Sequence, residues 1–205
     1  MSLIIRPARK EDGIIASCLL AETTRDFGIQ VLGLGDPDLQ IKAFLTWFTD
    51  DGNRFSYQYA QIAEKYGIAA GLLLAFSGAK LPSLEMGCAK KIFKIYGFLG
   101  AIRMVNRNRT LADYPEAEKD EYIITHLAVD GNFRRQGIGN TLITRAVEDA
   151  TAQGFKKLVL EVEMDNSEAV ALYKRQGFEV VNTFYYNDKR GLLTSPGFYK
   201  MMKLL

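Results

Sequence analysis

Residues 123–139 read IITHLAVDGNFRRQGIG and join an apolar strand to a glycine-rich turn that opens an amphipathic helix. This helix keeps apolar residues on one face, at Ile138, Leu142, Ile143, Ala146, Val147 and Ala150. The spacing predicts that it begins near Gly137. The first N–H groups of a helix have no partner within it and lie at the positive end of its dipole. The stretch therefore predicts a phosphate cradle, with a plain strand-to-helix connection as the alternative for this segment taken alone.

The turn departs from two common nucleotide-binding patterns. A dinucleotide fingerprint, GxGxxG, needs a third glycine where this chain has Leu142. A P-loop needs Gly-Lys followed by Ser or Thr, but Gly139 is followed by Asn140 and Thr141. The turn fits neither class.

Hydrophobic periodicity and turn residues predict the other elements. Helices are predicted over residues 11–24, 38–49 and 167–176, and strands over residues 3–6, 55–63, 68–76, 122–129, 157–162, 178–186 and 198–203. This order of elements favours a central mixed sheet with helices packed on it.

The pattern RxxGxG, formed by Arg134, Gly137 and Gly139, resembles the GCN5-related N-acetyltransferase (GNAT) family, in which it binds the pyrophosphate of acetyl-CoA. A second family signature is matched by NSEAVALYKRQGF at residues 166–178, and the resemblance covers about residues 121–186. It implies an α/β (α+β) fold with a mixed, mostly antiparallel central sheet, splayed between its two central strands and flanked by helices. It also implies acetyl-CoA as the cofactor and CoA as a product.

The same resemblance implies where the cofactor binds. The pantetheine arm enters the gap between the splayed strands and bonds backbone groups of the first, while the turn holds the diphosphate. The cofactor-binding residues that it implies are Leu127, Ala128, Val129, Arg134, Arg135, Gln136, Gly137, Ile138, Gly139, Asn140, Asn166 and Tyr173. Asn166 has a second reading as a helix cap, because Asn favours that position, and the two readings are compatible.

Acetyl transfer needs an amine without its proton, a donor to the oxyanion and a proton for the leaving thiolate. By family resemblance, the N–H of Val129 donates to the oxyanion. We predict that the phenol of Tyr173 protonates the thiolate. Core packing is the alternative role for Tyr173.

The general base has two main candidates, Glu121 and His126, and Tyr122 is a further one. Glu121 precedes Leu127 by six residues, where the resembling enzymes that acetylate protein N-termini carry a catalytic glutamate; its alternative is an exposed position at a strand end. His126 titrates in a suitable range, but simple alternation places it on the face of Ile124 and Ala128. A chain of water molecules can also remove the proton without a nearby side chain.

Composition predicts a single domain over residues 1–205, because 48% of the residues are apolar and can bury a sizeable core. A net charge of +2 gives no indication of nucleic acid as a partner. The longest apolar run, residues 68–76, is too short to span a bilayer, so no membrane partner is expected. The N-terminus does not resemble a secretory signal. This N-terminus predicts a cytoplasmic location. Cys18 and Cys88 form no metal-like spacing with the single histidine, which predicts reduced thiols and no metal site.

Residues 78–120 are longer than the hairpin link that the family usually has there, and their apolar spacing predicts one or two helices. From Lys80 to Arg109 there are seven basic residues against Glu85 alone. Three roles are open for this helical insertion: an amphipathic cover with a solvated basic face, a substrate lid or subunit contact such as a homodimer interface, and a membrane-surface helix.

Two functions follow from these patterns. The leading one is an enzyme that moves an acetyl group from acetyl-CoA directly to a primary amine, on a small molecule or at a peptide N-terminus. The alternative is a non-catalytic acyl-CoA-binding sensor or subunit with the same fold. Turnover would separate them, whereas binding of acetyl-CoA would not.

Overall fold

One seven-stranded sheet, with helices on both faces, organises the chain; the computed structural model describes residues 3–111, 116–189 and 191–205. The strands are β1 (Ile4–Pro7), β2 (Ala60–Lys65), β3 (Ile68–Ser77), β4 (Tyr122–Val129), β5 (Lys157–Glu163), β6 (Glu179–Tyr185) and β7 (Gly197–Leu204). The helices are α1 (Gly13–Val31), α2 (Pro37–Phe48), α3 (Leu81–Leu111), α4 (Ile138–Ala152) and α5 (Ser167–Arg175). The predicted mixed sheet flanked by helices is confirmed.

The strands lie in the order β1-β2-β3-β4-β5-β7-β6, and every neighbouring pair is antiparallel except β4 with β5. That parallel pair covers only three positions, from Tyr122 opposite Leu158 to Ile124 opposite Leu160. Beyond them the two strands lose their pairing, so β4 and β5 form the two walls of a gap. The predicted splay between the central strands is thus confirmed.

Two apolar cores cover the two faces of the sheet. The first lies under α1, α2 and α3 and includes Leu19, Leu20, Phe44, Trp47, Phe48, Ile62, Leu72, Phe76, Ile123 and Val159. The second lies under α4 and α5 and includes Leu73, Tyr122, Ile124, Leu142, Ile143, Leu160, Tyr173 and Phe178. Burial of side chains of this size stabilises a fold by about 1.5–3 kcal/mol each, so both cores fix the position of the gap between them.

Two elements differ from their predicted bounds. The helix predicted to end at residue 24 breaks at Arg25 (φ 44°, ψ −135°), and a second helical segment, which was not predicted, continues α1 to Val31. The strand predicted over residues 55–63 begins at Ala60, since the Oγ of Ser56 accepts from the N–H of Gln58 at 3.3 Å and starts a 3₁₀ turn. Gly97 (φ 64°) similarly divides α3 into two helical segments.

Helix α3 occupies most of residues 78–120, for which helices were predicted, and lies against α2. The indole N–H of Trp47 donates to the carbonyl of Cys88 at 3.3 Å, and the ring of Tyr96 lies 6.3 Å from the Trp47 ring. The opposite face of α3 carries exposed apolar side chains at Met86, Phe93, Phe98, Leu99, Ile102 and Val105. Within the described ranges, no helix has the length and apolar character needed to cross a bilayer.

Candidate functional site

The turn between β4 and α4 has the backbone of an anion cradle. Arg135 (φ 60°) and Gly137 (φ 80°) both adopt left-handed conformations, and Gly137 caps the N-terminus of α4. Alternation of left-handed with ordinary residues turns successive N–H groups toward one point. The N–H groups of Ile138, Gly139 and Asn140 open the helix and have no acceptor within it. A Cβ at Gly137 would meet no atom within 4 Å, so the glycine is required by its left-handed backbone and not by close packing.

Beneath the cradle, β4, α4 and α5 converge on Gly139. A Cβ at Gly139 would lie 3.4 Å from Leu172 of α5 and 3.9 Å from Val129 of β4. The amide Nε2 of Gln176 donates to Oδ1 of Asn140 at 3.2 Å, which ties α5 to the first turn of α4. The second family signature therefore supports the first turn of the cradle helix from one side.

The two arginines and the glutamine of the turn point outward. The Nε of Arg134 donates to the carbonyl of Val129 at 3.2 Å, and Arg135 is almost fully exposed. The side-chain carbonyl of Gln136 accepts from Lys65 at 2.5 Å. These cationic and amide groups lie around the N-terminus of α4 and leave its backbone N–H groups accessible. Ile138, by contrast, is buried and anchors the helix in the second core.

The β4 wall of the gap contains a β-bulge. His126 lies opposite Leu74 and Ile124 lies opposite Ala75, so Thr125 is an extra residue, and its hydroxyl donates to the carbonyl of Leu74 at 3.2 Å. After the bulge, Leu127 and Val129 pack with the α4 core and Ala128 with the α1 core. Because β5 has already diverged, the β5-facing backbone of Leu127–Val129 can bond an extended ligand.

Because of the bulge, the orientation expected for His126 from simple alternation is wrong in part. Its ring lies on the face of Ala128, as expected, but on the opposite face from Ile124. The ring packs at 6.2 Å from Phe44 and 5.5 Å from Phe55, and Nδ1 shares a 2.7 Å hydrogen bond with the hydroxyl of Thr23. Burial, with a smaller contribution from the charge of Arg54, lowers the pKa of His126 to about 3. A ring with so low a pKa accepts a proton poorly, so we do not propose His126 as the general base.

Glu121 lies at the closed end of the β4–β5 pair, one residue before the first paired position. Its carboxylate Oε2 accepts from the ammonium of Lys200 at 2.9 Å and from the N–H of Glu118 at 2.8 Å. The residue is only 6% exposed, so the alternative of an exposed strand end is wrong. We do not propose Glu121 as the base either. Its carboxylate already accepts two hydrogen bonds, and it lies at the end of β4 that is paired with β5.

Tyr173 is buried on α5, where its ring packs edge-on against Phe178 at 5.9 Å. Burial raises the pKa of Tyr173 to about 12, so the phenol keeps its proton throughout the physiological range. Asn166 caps the same helix, with Oδ1 accepting from the N–H of Ala169 at 3.3 Å. The capping interpretation of Asn166 is therefore confirmed.

The β5 wall carries two acidic residues that the sequence analysis did not select, Glu161 and Glu163. Glu161 directly follows Leu160, the last β5 residue paired with β4, and Glu163 ends the strand. Burial raises the pKa of Glu163 to about 7, against the opposing charge of Arg25. The pKa of Tyr186 is also raised, first by burial and then by the charges of Glu163 and Glu161. In the sequence, residues 160–163 read LEVE, and two glutamates that interrupt an otherwise apolar strand could have indicated a site here.

Comparison with known proteins agrees with this geometry. The model of the acetyltransferase (GNAT) family matches residues 84–178. N-acetyltransferase family 8 member 3 of Rattus norvegicus is 34% identical over 82 residues, which are 40% of this chain and 36% of the relative. The [ribosomal protein bS18]-alanine N-acetyltransferase of Escherichia coli K12 is 37% identical over 74 residues, 35% of this chain and 50% of the relative. The chain thus spans about a third to a half of the length of these curated relatives.

A solved acetyltransferase structure is similar over nearly the whole length. It covers 98% of this chain and 98% of its own, with 26% identity and a TM-score of 0.67. The matched family segment runs from α3 through the cradle to the end of the second signature, where the site described above lies. Residues 84–178 therefore match the acetyltransferase domain of the GNAT family, and the fold around them is that of a solved acetyltransferase.

Proposed function

We propose that this protein transfers an acetyl group from acetyl-CoA to a primary amine. The observation that carries the proposal is the open cradle at the N-terminus of α4, which leads directly into the gap between β4 and β5. Few ligands combine a diphosphate with a long, narrow arm that fits between two strands. A buried phenol, Tyr173, on the helix that packs against the cradle adds a proton donor to this arrangement.

The cofactor contacts that we propose follow the geometry of the turn and the strand. The diphosphate would lie on the N–H groups of Ile138, Gly139 and Asn140, with Arg134, Arg135 and Gln136 around it. The backbone of Leu127, Ala128 and Val129 would bond the pantetheine arm. Asn166 would contribute from the start of α5 besides capping it. When bound, acetyl-CoA supplies the acetyl thioester.

The amine has one face of the sheet open to it. The cradle lies with α4 and α5, so an acceptor approaches the gap from the α1 and α2 side, where Glu161 and Glu163 extend from β5. We assign proton removal to these two carboxylates, directly or through water. The N–H of Val129 would donate to the oxyanion and Tyr173 would protonate the thiolate. A carboxyl with a pKa of about 7 suits a base that acts near neutral pH.

The acceptor that we favour is the α-amine of a peptide. An α-amino group has a pKa near 8, against about 10.4 for a lysine side chain, so a base of pKa about 7 needs little help to deprotonate it. The Escherichia coli relative is named for acetylation of an alanine of ribosomal protein bS18. Small-molecule amines are the second acceptor class. In addition, we propose a cytoplasmic location, which the two free thiols Cys18 and Cys88 support.

A second copy of the chain is the partner that we propose for the exposed apolar face of α3. The rings of Phe93 and Phe98 stack there at 6.3 Å, and contiguous exposed apolar patches often mark interfaces. Light scattering should give the mass of a homodimer for the wild type and of a monomer for Phe98→Glu. A monomeric wild type would contradict this proposal.

The test of function is release of free CoA thiol from acetyl-CoA with a panel of amines. We expect turnover with peptides that carry a free N-terminus and none with the same peptides after N-terminal blocking. Glu161→Gln and Glu163→Gln, measured separately, identify which carboxylate accepts the proton. Binding of acetyl-CoA without turnover on any amine would instead support a non-catalytic acyl-CoA sensor.

A further inference from the structure

Residues 22–27 of α1, which we call the strap, cross from one wall of the gap to the other. At the β4 wall, Glu22 pairs with Arg134 at 2.9 Å, and the hydroxyl of Thr23 shares the 2.7 Å hydrogen bond with His126. At the β5 wall, one nitrogen of Arg25 lies 3.0 Å from Glu163 and 2.6 Å from Asp165. The strap therefore lies over the acceptor side of the gap.

The end of the strap is tied to the loop between β6 and β7. Asp26 accepts from the hydroxyl of Thr194 at 2.7 Å, and the ring of Phe27 stacks on Tyr186 at 5.6 Å. Arg25, between the two ends, has the non-helical backbone that interrupts α1. The strap is thus helical except at Arg25, with one attachment to the turn after β4, one to His126 of β4 and several to β5 and the loop between β6 and β7.

The attachment at the β4 side uses the same arginine that the diphosphate requires. Arg134 is the first residue of the RxxGxG pattern, and its Nη2 is held by the carboxylate of Glu22. A guanidinium binds carboxylates and phosphates through the same donors, and the negative charge of Glu22 beside Arg134 repels a second anion, so Glu22 and a diphosphate compete for this group. The pair is about half exposed, with side-chain exposures of 59% and 47%, whereas the Glu163 partner of Arg25 is only 14% exposed. Water and salt therefore weaken the Glu22–Arg134 ion pair more than the Arg25–Glu163 ion pair.

We propose that Glu22 is an internal competitor of the cofactor for Arg134, and that the diphosphate loosens the strap by displacing it. The strap then remains attached to the β4 wall through the Thr23–His126 hydrogen bond and to the β5 wall through the contacts of Arg25. Binding at the cradle would in this way open the acceptor side of the gap. The inference rests on the proposed function, because it requires that the cradle binds CoA.

Calorimetry of CoA binding tests the competition. Glu22→Gln should bind CoA up to about fivefold more tightly than the wild type, the upper limit for an exposed ion pair. The matched control is Glu148→Gln, which removes the same charge from an exposed position ten residues, or about 15 Å, along α4 from Ile138. That control should leave the Kd unchanged. An equal Kd for Glu22→Gln and Glu148→Gln would overturn the proposal.

A double-variant cycle tests whether Glu22 acts through Arg134. Arg134→Gln should weaken CoA binding, and adding Glu22→Gln to it should give no further change. A gain that persists without Arg134 would overturn the competition. Amide hydrogen exchange of residues 22–24 should become faster in the wild type when CoA is added; unchanged or slower exchange would overturn the loosening of the strap.

The same measurements separate this inference from the proposed function. Absence of CoA binding by the wild type would overturn both. CoA binding that tightens in Glu22→Gln, together with no acetyl transfer to any amine, would support the strap and reject the reaction.

Discussion

Replacing Glu121 by Gln removes the negative charge from an ion pair that is almost completely enclosed. The side chains of Lys200 and Glu121 are 11% and 8% exposed, and the same carboxylate oxygen also accepts from the N–H of Glu118. Loss of one partner from a buried pair costs about 3–5 kcal/mol. Gln keeps one acceptor oxygen for the Glu118 N–H, so we expect the free energy of unfolding to fall by about 2–3 kcal/mol.

Urea unfolding measures this loss, with fluorescence of the single tryptophan, Trp47, as the probe, since that residue is buried. Asp120→Asn is the matched control, because the neighbouring Asp120–Lys157 pair is exposed and should contribute at most about 1 kcal/mol. Adding Lys200→Met to Glu121→Gln should restore part of the stability, since it removes the unpaired buried ammonium. The turnover of folded Glu121→Gln should stay close to that of the wild type. A fall in kcat of about 100-fold at undiminished stability would refute this reasoning and return the base role to Glu121.

Three further changes test the cradle, the acid and the base. Tyr173→Phe should lower kcat by about 100-fold or more while the Kd for CoA stays the same; an unchanged kcat would remove Tyr173 from the acid role. Gly137→Val should weaken CoA binding, because a β-branched residue resists φ 80° and distorts the cradle. The control Gly154→Val, at φ 82° just beyond α4, should lower stability without changing CoA binding. Equal CoA affinity in the two variants would reject the cradle. The raised pKa of Glu163 means that the folded protein binds this proton more tightly than the unfolded chain. The contribution of Glu163 to stability is therefore complete below about pH 4.5 and is lost as pH rises through about 7. Thermal unfolding measured from pH 4 to 8 should show the wild type losing stability relative to Glu163→Gln. Parallel stability profiles would show that Glu163 has an ordinary pKa.

The cradle and both walls of the gap could be predicted because their signals are local. Strand β4 occupies the predicted residues 122–129, and β5 extends the prediction by one residue, to Glu163. Both strands read as buried apolar runs, and the glycine at 137 marks the left-handed turn that starts α4.

The misplaced residues depend on contacts between distant parts of the chain. The partner of Glu121, Lys200, lies 79 positions away, and no local pattern indicates that the two meet. The interaction of Arg25 with Glu163 spans 138 positions. The orientation of His126 depends on how β4 registers against β3, so strict alternation along β4 alone could not give it.

The bulge at Thr125 has a consequence for how this strand tolerates sequence change. Residues 122–124 follow one alternation between the two cores, and residues 126–129 follow a second alternation that is shifted by one residue. Deleting Thr125 would leave a regular strand in which Ile124 and His126 keep their present faces, whereas pairing Thr125 in register with β3 would turn the His126 ring from its aromatic neighbours toward the α4 side. The extra residue at Thr125 therefore decides which core each later side chain of β4 enters, and so which backbone groups of Leu127–Val129 face the gap.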